Sequence, residues 1–462
     1  MTSFFQRLKG INQSGDSIKD ILLYWLPELV SAAILVSLPP MIDSWIMSRL
    51  GSTTLYGAMA MGTNFLHTLI KLAESIPVAA IAVMGRHNGA QDYEKCGESL
   101  GDTFWTTVLF GLTQFSFILV AATSIYRWLN VPEEMVAHGA HFLQLRSFGV
   151  LLIFMCLGLL AFMRAVKNTR MPMLINLIGI AVFIFTDYSL VLGKFGMPRL
   201  ELLGSALATT VQYAVMNTLA LTYILTNPDY KKYFKHMFFS IFSIKRALHI
   251  LNLSWPIMID KMSIAMSYVW LSKMLAPMGA MAIVTYDVVK NLERFAFLPV
   301  MASAGIITFL VSNRLGAHDG EGAMGNIRKV FLLTYCTVIP ALLILCVKAP
   351  FFISFFDPKN QFTAFASTVL PIISLLVILD FTQVVLAAAL RGAGDVRTVM
   401  LTRLVCCFCF FVPVSWLLAQ IPGISTTLRF TLVYGSFYIT TGLIGLRFWY
   451  RIKSRRWQKE KI

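Results

Sequence analysis

Apolar residues in this chain run in long blocks separated by short polar intervals, without the strict alternation of a half-buried strand. Twelve blocks read as spans: 20–48, 55–84, 102–126, 141–162, 171–192, 203–225, 252–277, 281–311, 331–347, 363–390, 399–420 and 428–449. Each has roughly the twenty apolar residues that cross a bilayer as a helix. In hydrocarbon every backbone polar group must be satisfied internally, so blocks of this kind are helical. The dyad pattern of an outer-membrane barrel is not visible. The fold class expected is therefore all-α integral membrane, with twelve transmembrane helices. The longer blocks are accommodated by tilt or helical extension, and Pro39-Pro40 predicts a kink in the first.

Composition removes the soluble alternative. The 462 residues are 57% hydrophobic and 13% charged, where soluble domains carry about 25% charged residues. A soluble fold of this length could not hide so much apolar surface. A net charge of +16 raises nucleic acid as a partner. The basic residues lie between apolar blocks and not on one recognition helix, so the positive-inside rule accounts for them better. An even number of spans puts both termini on one side, and the basic tail from Arg447 to Ile462 places that side in the cytoplasm. Roughly 26 Lys and Arg then fall on the cytoplasmic side and roughly 8 on the other. The expected location is the plasma (inner) membrane, with the lipid bilayer as partner and a monomer as the working unit. The polar start of the chain and the long apolar run from Ile21 do not read as a cleavable signal peptide.

The longest polar interval, about 226–250, divides the spans into two sets of six. This gives an N-terminal segment 1–19, a lobe 20–225, a linker 226–251, a lobe 252–449 and a tail 450–462. The two sets repeat. Arg164 in AFMRAVKNTRMPML and Arg391 in AALRGAGDVRTVML lie 227 residues apart. Gly89-Ala90-x-Asp92 and Gly316-Ala317-x-Asp319 lie at the same offset, Gly51 and Gly279 at 228, and Pro27 and Pro256 at 229. Lobes of six spans share one orientation and are related by an axis along the membrane normal. Transporters commonly use such repeats, with the substrate path between them. No selectivity-filter sequence is visible.

Charges at bilayer depth are expensive and usually face a cavity. His67, Lys71 and Glu74 in span two fall within about 60° of one another on a helix. Asp287, Lys290, Glu293 and Arg294 in span eight fall within about 120°. The repeat maps His67 onto position 294, so the two charged faces are equivalent. Asp260 and Lys261 add charge to span seven. These residues are expected to line a central cavity and touch substrate, or to form gate salt bridges. Mixed signs with several cations suit a polar, anionic or zwitterionic substrate.

Seven segments, taken in order, resemble a known family: PMIDSWIMSRLG ending at Gly51, NGAQD (88–92), MRAVKNTRMPM (163–173), DYSLVLGKFGMPRLELLGSALATTV (187–211), YDVVKNLERFAFLP (286–299), NRLGAHD (313–319) and LDFTQVVLAAALRGAGD (379–395). The pattern is similar to the multidrug and toxic compound extrusion (MATE) family, of the wider multidrug, lipid-linked oligosaccharide and polysaccharide exporter superfamily. The resemblance implies two pseudo-symmetric six-helix lobes forming a V-shaped central cleft. It also implies export of a drug, toxin or metabolite by antiport against protons or sodium. It assigns cation coupling to Asp43, Asp187 and Thr209 in the first lobe and to Asp380 in the second. The family often has Asn one turn before Asp187, where this chain has Phe183. That loss of an oxygen ligand favours protons over sodium. The usual Glu partner of Asp380 falls at Ile264, and Asp260 one turn earlier stands as a substitute.

The remaining classes are weaker. A lipid or lipid-linked saccharide flippase of the same superfamily is the nearest rival. An enzyme would need metal-spaced ligands or a nucleophile beside a base, and the His residues are scattered, His138 and His141 at a span end included. Cys406, Cys407 and Cys409 sit inside an apolar run without His or carboxylate neighbours and read as packing. No metal or cofactor is expected beyond the transported ion. Arg164 and Arg391 end spans four and ten, where basic residues favour helix C-termini and anionic headgroups. Gly392 and Gly394 are read as permitting a tight turn there.

Overall fold

The computed structural model describes residues 14–129, 131–236, 243–354, 357 and 362–459. Every predicted span is a helix. The N-terminal set comprises α1 (Ile18–Ser48), α2 (Thr53–Ala73) and α3 (Ser75–Gly89), which together form span two, then α4 (Tyr93–Trp128), α5 (Glu133–Ala165), α6 (Arg170–Leu192) and α7 (Leu202–Thr226). A 3-10 segment, Pro228–His236, follows. The C-terminal set comprises α8 (Ile244–Leu275), α9 (Ala280–Gly316), α10 (Gly320–Val347), the short α11 (Ala349–Ser354) and α12 (Thr363–Gly392). It continues with α13 (Val396–Leu404), a π-helical stretch Val405–Phe411, α14 (Val412–Gln420) and α15 (Thr426–Lys453). Eight helical segments among the described residues are long and apolar enough to cross a membrane by length and composition alone. No strand occurs among the described residues.

The repeat is realised in the packing. In each set the second span packs on the third and fourth, and the fourth on the sixth. It is also realised in the turns. At Gly89-Ala90-x-Asp92, Ala90 N donates to Arg86 O (3.0 Å) and Asp92 N to His87 O (3.0 Å). At Gly316-Ala317-x-Asp319, Ala317 N donates to Asn313 O (3.1 Å) and Asp319 N to Arg314 O (2.8 Å). Gln91 (φ 60°) and His318 (φ 57°) take the same left-handed position. Asp92 and Asp319 then cap the next helix, accepting from Lys95 N (3.2 Å) and Gly322 N (2.7 Å). The motif is thus a helix stop and start compressed into four residues.

The second repeated motif behaves alike. Asn168 N donates to Met163 O (2.8 Å) and Asp395 N to Leu390 O (2.9 Å), with Lys167 (φ 63°) and Gly394 (φ 85°) in equivalent left-handed positions. Gly392 has a different task from the turn expected of it. A Cβ there would lie 2.9 Å from the Thr308 Cα, so it lets the backbones of α9 and α12 touch.

The chain divides into two compact units, one of residues 26–254 and the other of residues 1–25 with 255–462. These bounds fall inside α1 and α8, and the lobes drawn from the sequence began at 20 and 252. The start of α1 therefore belongs with the C-terminal unit. Asp16 N donates to Asn326 Oδ1 (2.8 Å), and Asp16 Oδ2 accepts from Asn326 Nδ2 (2.6 Å) and Arg314 Nε (3.2 Å). Lys329 Nζ donates to the carbonyls of Ser14 (2.9 Å) and Asp16 (2.7 Å). The start of α8 belongs with the N-terminal unit, where Ser243 N donates to Asp102 Oδ1 (3.1 Å) and Arg246 pairs with Asp102 Oδ2. The dock residues Asp102 and Lys329 lie 227 residues apart, so the two clasps are repeat-related but opposite in sign.

Candidate functional site

In the N-terminal unit, four helices bring polar side chains to one place. Asp43 of α1 is 5% exposed and Asp187 of α6 is 0% exposed. Asp43 Oδ1 accepts from Ser205 Oγ of α7 (2.8 Å). Arg146 of α5 donates to the Ser205 carbonyl (3.3 Å) and hydroxyl (3.4 Å). The two carboxylates and Arg146 act on one another electrostatically. Neither oxygen of Asp187 meets a hydrogen-bond donor among the described residues. Thr209, expected to join the two carboxylates, is buried on α7, and its hydroxyl donates to the Ser205 carbonyl (3.3 Å). Ser205, one turn earlier on the same face, holds Asp43. Phe183 is buried in an apolar cluster with Ile34, Ile180 and Ala208, so the position before Asp187 is an apolar wall.

In the C-terminal unit a cavity of about 160 Å³ opens among α8, α9, α12 and α15. Lys290, Glu293, Arg294 and Asp380 line it together with aromatic side chains. Glu293 Oε2 accepts from Tyr438 (2.6 Å) and Tyr434 (3.1 Å) of α15. Its Oε1 is buried without a donor among the described residues. Asp380 Oδ1 accepts from Gln383 Nε2 (2.9 Å), and Gln383 in turn accepts from Arg403.

The other charges expected in a cavity go elsewhere. Asp260 is fully buried and paired with both Arg391 and Arg403 (2.7 Å to the latter). Each of its oxygens lies against one of the two guanidiniums, and it lies outside the cavity lining. Asp287 is exposed and accepts from Asn291 (3.2 Å). Lys261 is half-buried and His67 exposed. Lys71 pairs with Glu74 at 2.8 Å along an exposed helical turn. Arg164, expected at headgroups, is 18% exposed and holds Glu28 of α1 at 2.6 Å. Each repeated arginine therefore ties the fourth span of its unit to the first.

Sequence reasoning missed Arg146, Ser205, Gln383, Arg403, Tyr434 and Tyr438 as members of these sites. A signal existed for Arg146, a base inside an apolar run. Tyr434 and Tyr438 share a helical face, but nothing in their spacing names Glu293 as their acceptor.

The family model described as MatE matches residues 29–189 and 256–417, one block in each set of spans. Among curated relatives, a probable multidrug resistance protein NorM of Pasteurella multocida is 23% identical over 412 residues, covering 87% of this chain and 86% of its own. The multidrug resistance protein MdtK of Edwardsiella ictaluri is 22% identical over 379 residues, covering 81% and 82%. Among solved structures, MATE in its straight conformation superposes with a TM-score of 0.84 at 16% identity, covering 96% and 97%. A superfamily transporter from Pyrococcus furiosus, described as having a binding pocket of reverse polarity, gives 0.84 at 16% identity, covering 97% and 98%.

Proposed function

Since the chain belongs to the MATE family of membrane transporters, we propose that it exports a small organic solute by proton antiport. The carrying observation is the Asp43–Asp187 pair, buried within the N-terminal unit and acting electrostatically on each other and on Arg146. Two carboxylates sharing a site resist double ionisation, so one of them is a natural proton carrier. Two features favour a proton over sodium. Phe183 presents carbon where an oxygen ligand would stand, and a guanidinium beside the pair opposes a second fixed cation. A proton needs only one carboxylate oxygen, and Asp187 offers two without donors among the described residues. The relatives' names support a drug-like or toxic solute as cargo. The asymmetry of Lys and Arg supports cytoplasmic termini in a plasma membrane.

The test is solute movement in proteoliposomes under separate proton and sodium gradients, with wild type beside Asp43→Asn. Proton-driven movement lost in Asp43→Asn is the expected result. Sodium-driven movement would overturn the choice of ion. Absence of gradient-driven movement of any water-soluble solute would overturn antiport and point to a lipid or lipid-linked saccharide flippase.

A further inference from the structure

Lys290 and Arg294 lie one helical turn apart on α9, both against the cavity of the C-terminal unit. Like charges at that spacing repel. Neither has a carboxylate partner among the described residues. The Lys290 amine is held instead by two aromatic rings, 5.1 Å from the Tyr268 centroid and 5.5 Å from that of Tyr286. Other cations of this unit are differently placed. Arg391 and Arg403 share Asp260, Lys329 binds two carbonyls, and Arg314 binds Asp16 and Asp319. Beside the unpartnered pair, Glu293 keeps one buried oxygen without a donor. The remainder of the lining is largely aromatic, with Phe297 and Phe381 packed at 5.5 Å between ring centroids.

We infer that this cavity binds an aromatic zwitterion, its anionic group on Lys290 and Arg294 and its ammonium on Glu293 and the tyrosines. The inference rests on the transport reading above and gives it a substrate class. Charge complementarity supports it. The Lys290–Arg294 pair and the Glu293 carboxyl offer partners for the two poles of a zwitterion, which brings no net charge of its own. A monocation or a monoanion meets only one of those two sets of partners. The geometry also couples the cargo to protons. The groups facing Glu293 are Lys290 and Arg294 from its own helix, Tyr268 from α8, Asp380 from α12 with Arg403 behind it, and Tyr434 and Tyr438 from α15. A proton arriving at the free Glu293 oxygen removes both the charge and the acceptor that hold the ammonium. The ammonium leaves with its own protons, so loaded and protonated forms exclude each other.

The experiment compares radiolabelled phenylalanine, its methyl ester (a cation) and N-acetylphenylalanine (an anion) in proteoliposomes under a proton gradient. Ethidium serves as a cationic control cargo. Wild type, Lys290→Met, Arg294→Gln and Glu293→Gln are run in parallel. The expected result is that phenylalanine moves best. Lys290→Met should lower its transport at least tenfold while changing the ester less than twofold, and Glu293→Gln should remove the pH dependence of phenylalanine binding. Preference for the ester, equal handling of all three, or indifference to Lys290→Met overturns the substrate class while ethidium movement keeps antiport standing. If nothing moves, antiport fails instead, and equilibrium binding to the purified protein decides the site. Phenylalanine binding lost in Lys290→Met sustains it, and no binding overturns it.

Discussion

Asp260 shows how much a single buried carboxylate can carry. It is fully buried between two guanidiniums, and removing one partner from a buried ion pair leaves the other charge uncompensated, at about 3–5 kcal/mol. Asp260→Asn is therefore expected to destabilise the protein by that order, read as a large drop in the thermal midpoint of the purified transporter. A wild-type midpoint in that variant would show that Arg391 and Arg403 find other partners. At this scale a charge inside an apolar run was a mixed signal: Asp43, Asp187 and Asp380 are buried, whereas His67, Lys71 and Asp287 are exposed. The sequence was illegible where the partner comes from a distant helix. Arg146 met the same criterion, but with a span boundary drawn at 141 it sat close to an interface. The helix in fact begins at Glu133, which carries Arg146 more than three turns inside.

Helices and turns are set by shorter-range physics, and they follow the repeat closely. Gly392→Ala is expected to wedge α9 from α12, since the added methyl would meet the Thr308 backbone. Overpacking of that kind costs about 1–3 kcal/mol, measurable as a lowered thermal midpoint. An unchanged midpoint would mean the helices slide apart freely. The cap at Asp92 predicts a pH effect. The hydrogen bond from Lys95 holds the Asp92 carboxyl below the usual carboxylate range. A group depressed in the folded state contributes stability above its unfolded pKa and loses it as pH falls through the folded one. Asp92→Asn should therefore lower stability slightly at neutral pH, where the wild type holds this contribution, and converge on the wild type below about pH 4, which flattens the acid limb. Caps, turns and spans were readable because each depends on a few adjacent residues. Gly392 was misassigned because only tertiary contact reveals what its missing side chain admits.

For the whole molecule, the decisive feature is the pair of clasps at the starts of α1 and α8. One uses an acid on the strap, Asp16, against Arg314 and Asn326, with Lys329 on the strap's carbonyls. The other uses a base on the strap, Arg246, against Asp102 and Glu98. Asp102→Ala strips the Ser243 amide of its acceptor and Arg246 of its buried one, and is expected to cost about 1–3 kcal/mol. Protease cutting near 243 should accelerate in that variant while cutting near residue 16 does not. Asp16→Ala should give the converse pattern. Equal cutting at both sites in either variant would deny the clasps independent roles. The twelve spans and their twofold repeat were legible because hydropathy and offset survive in one dimension. The clasps were not, because the N-terminal segment and the linker carry no apolar pattern that names their docks.

The first clasp also bears on how the protein is made. Asp16 leaves the ribosome early, yet Asn326 is synthesised 310 residues later. At about 5–20 residues per second the strap waits tens of seconds for its dock. Throughout that interval the start of α1 stays unfastened, and closure of the C-terminal unit depends on Asp16 meeting a segment made long after it.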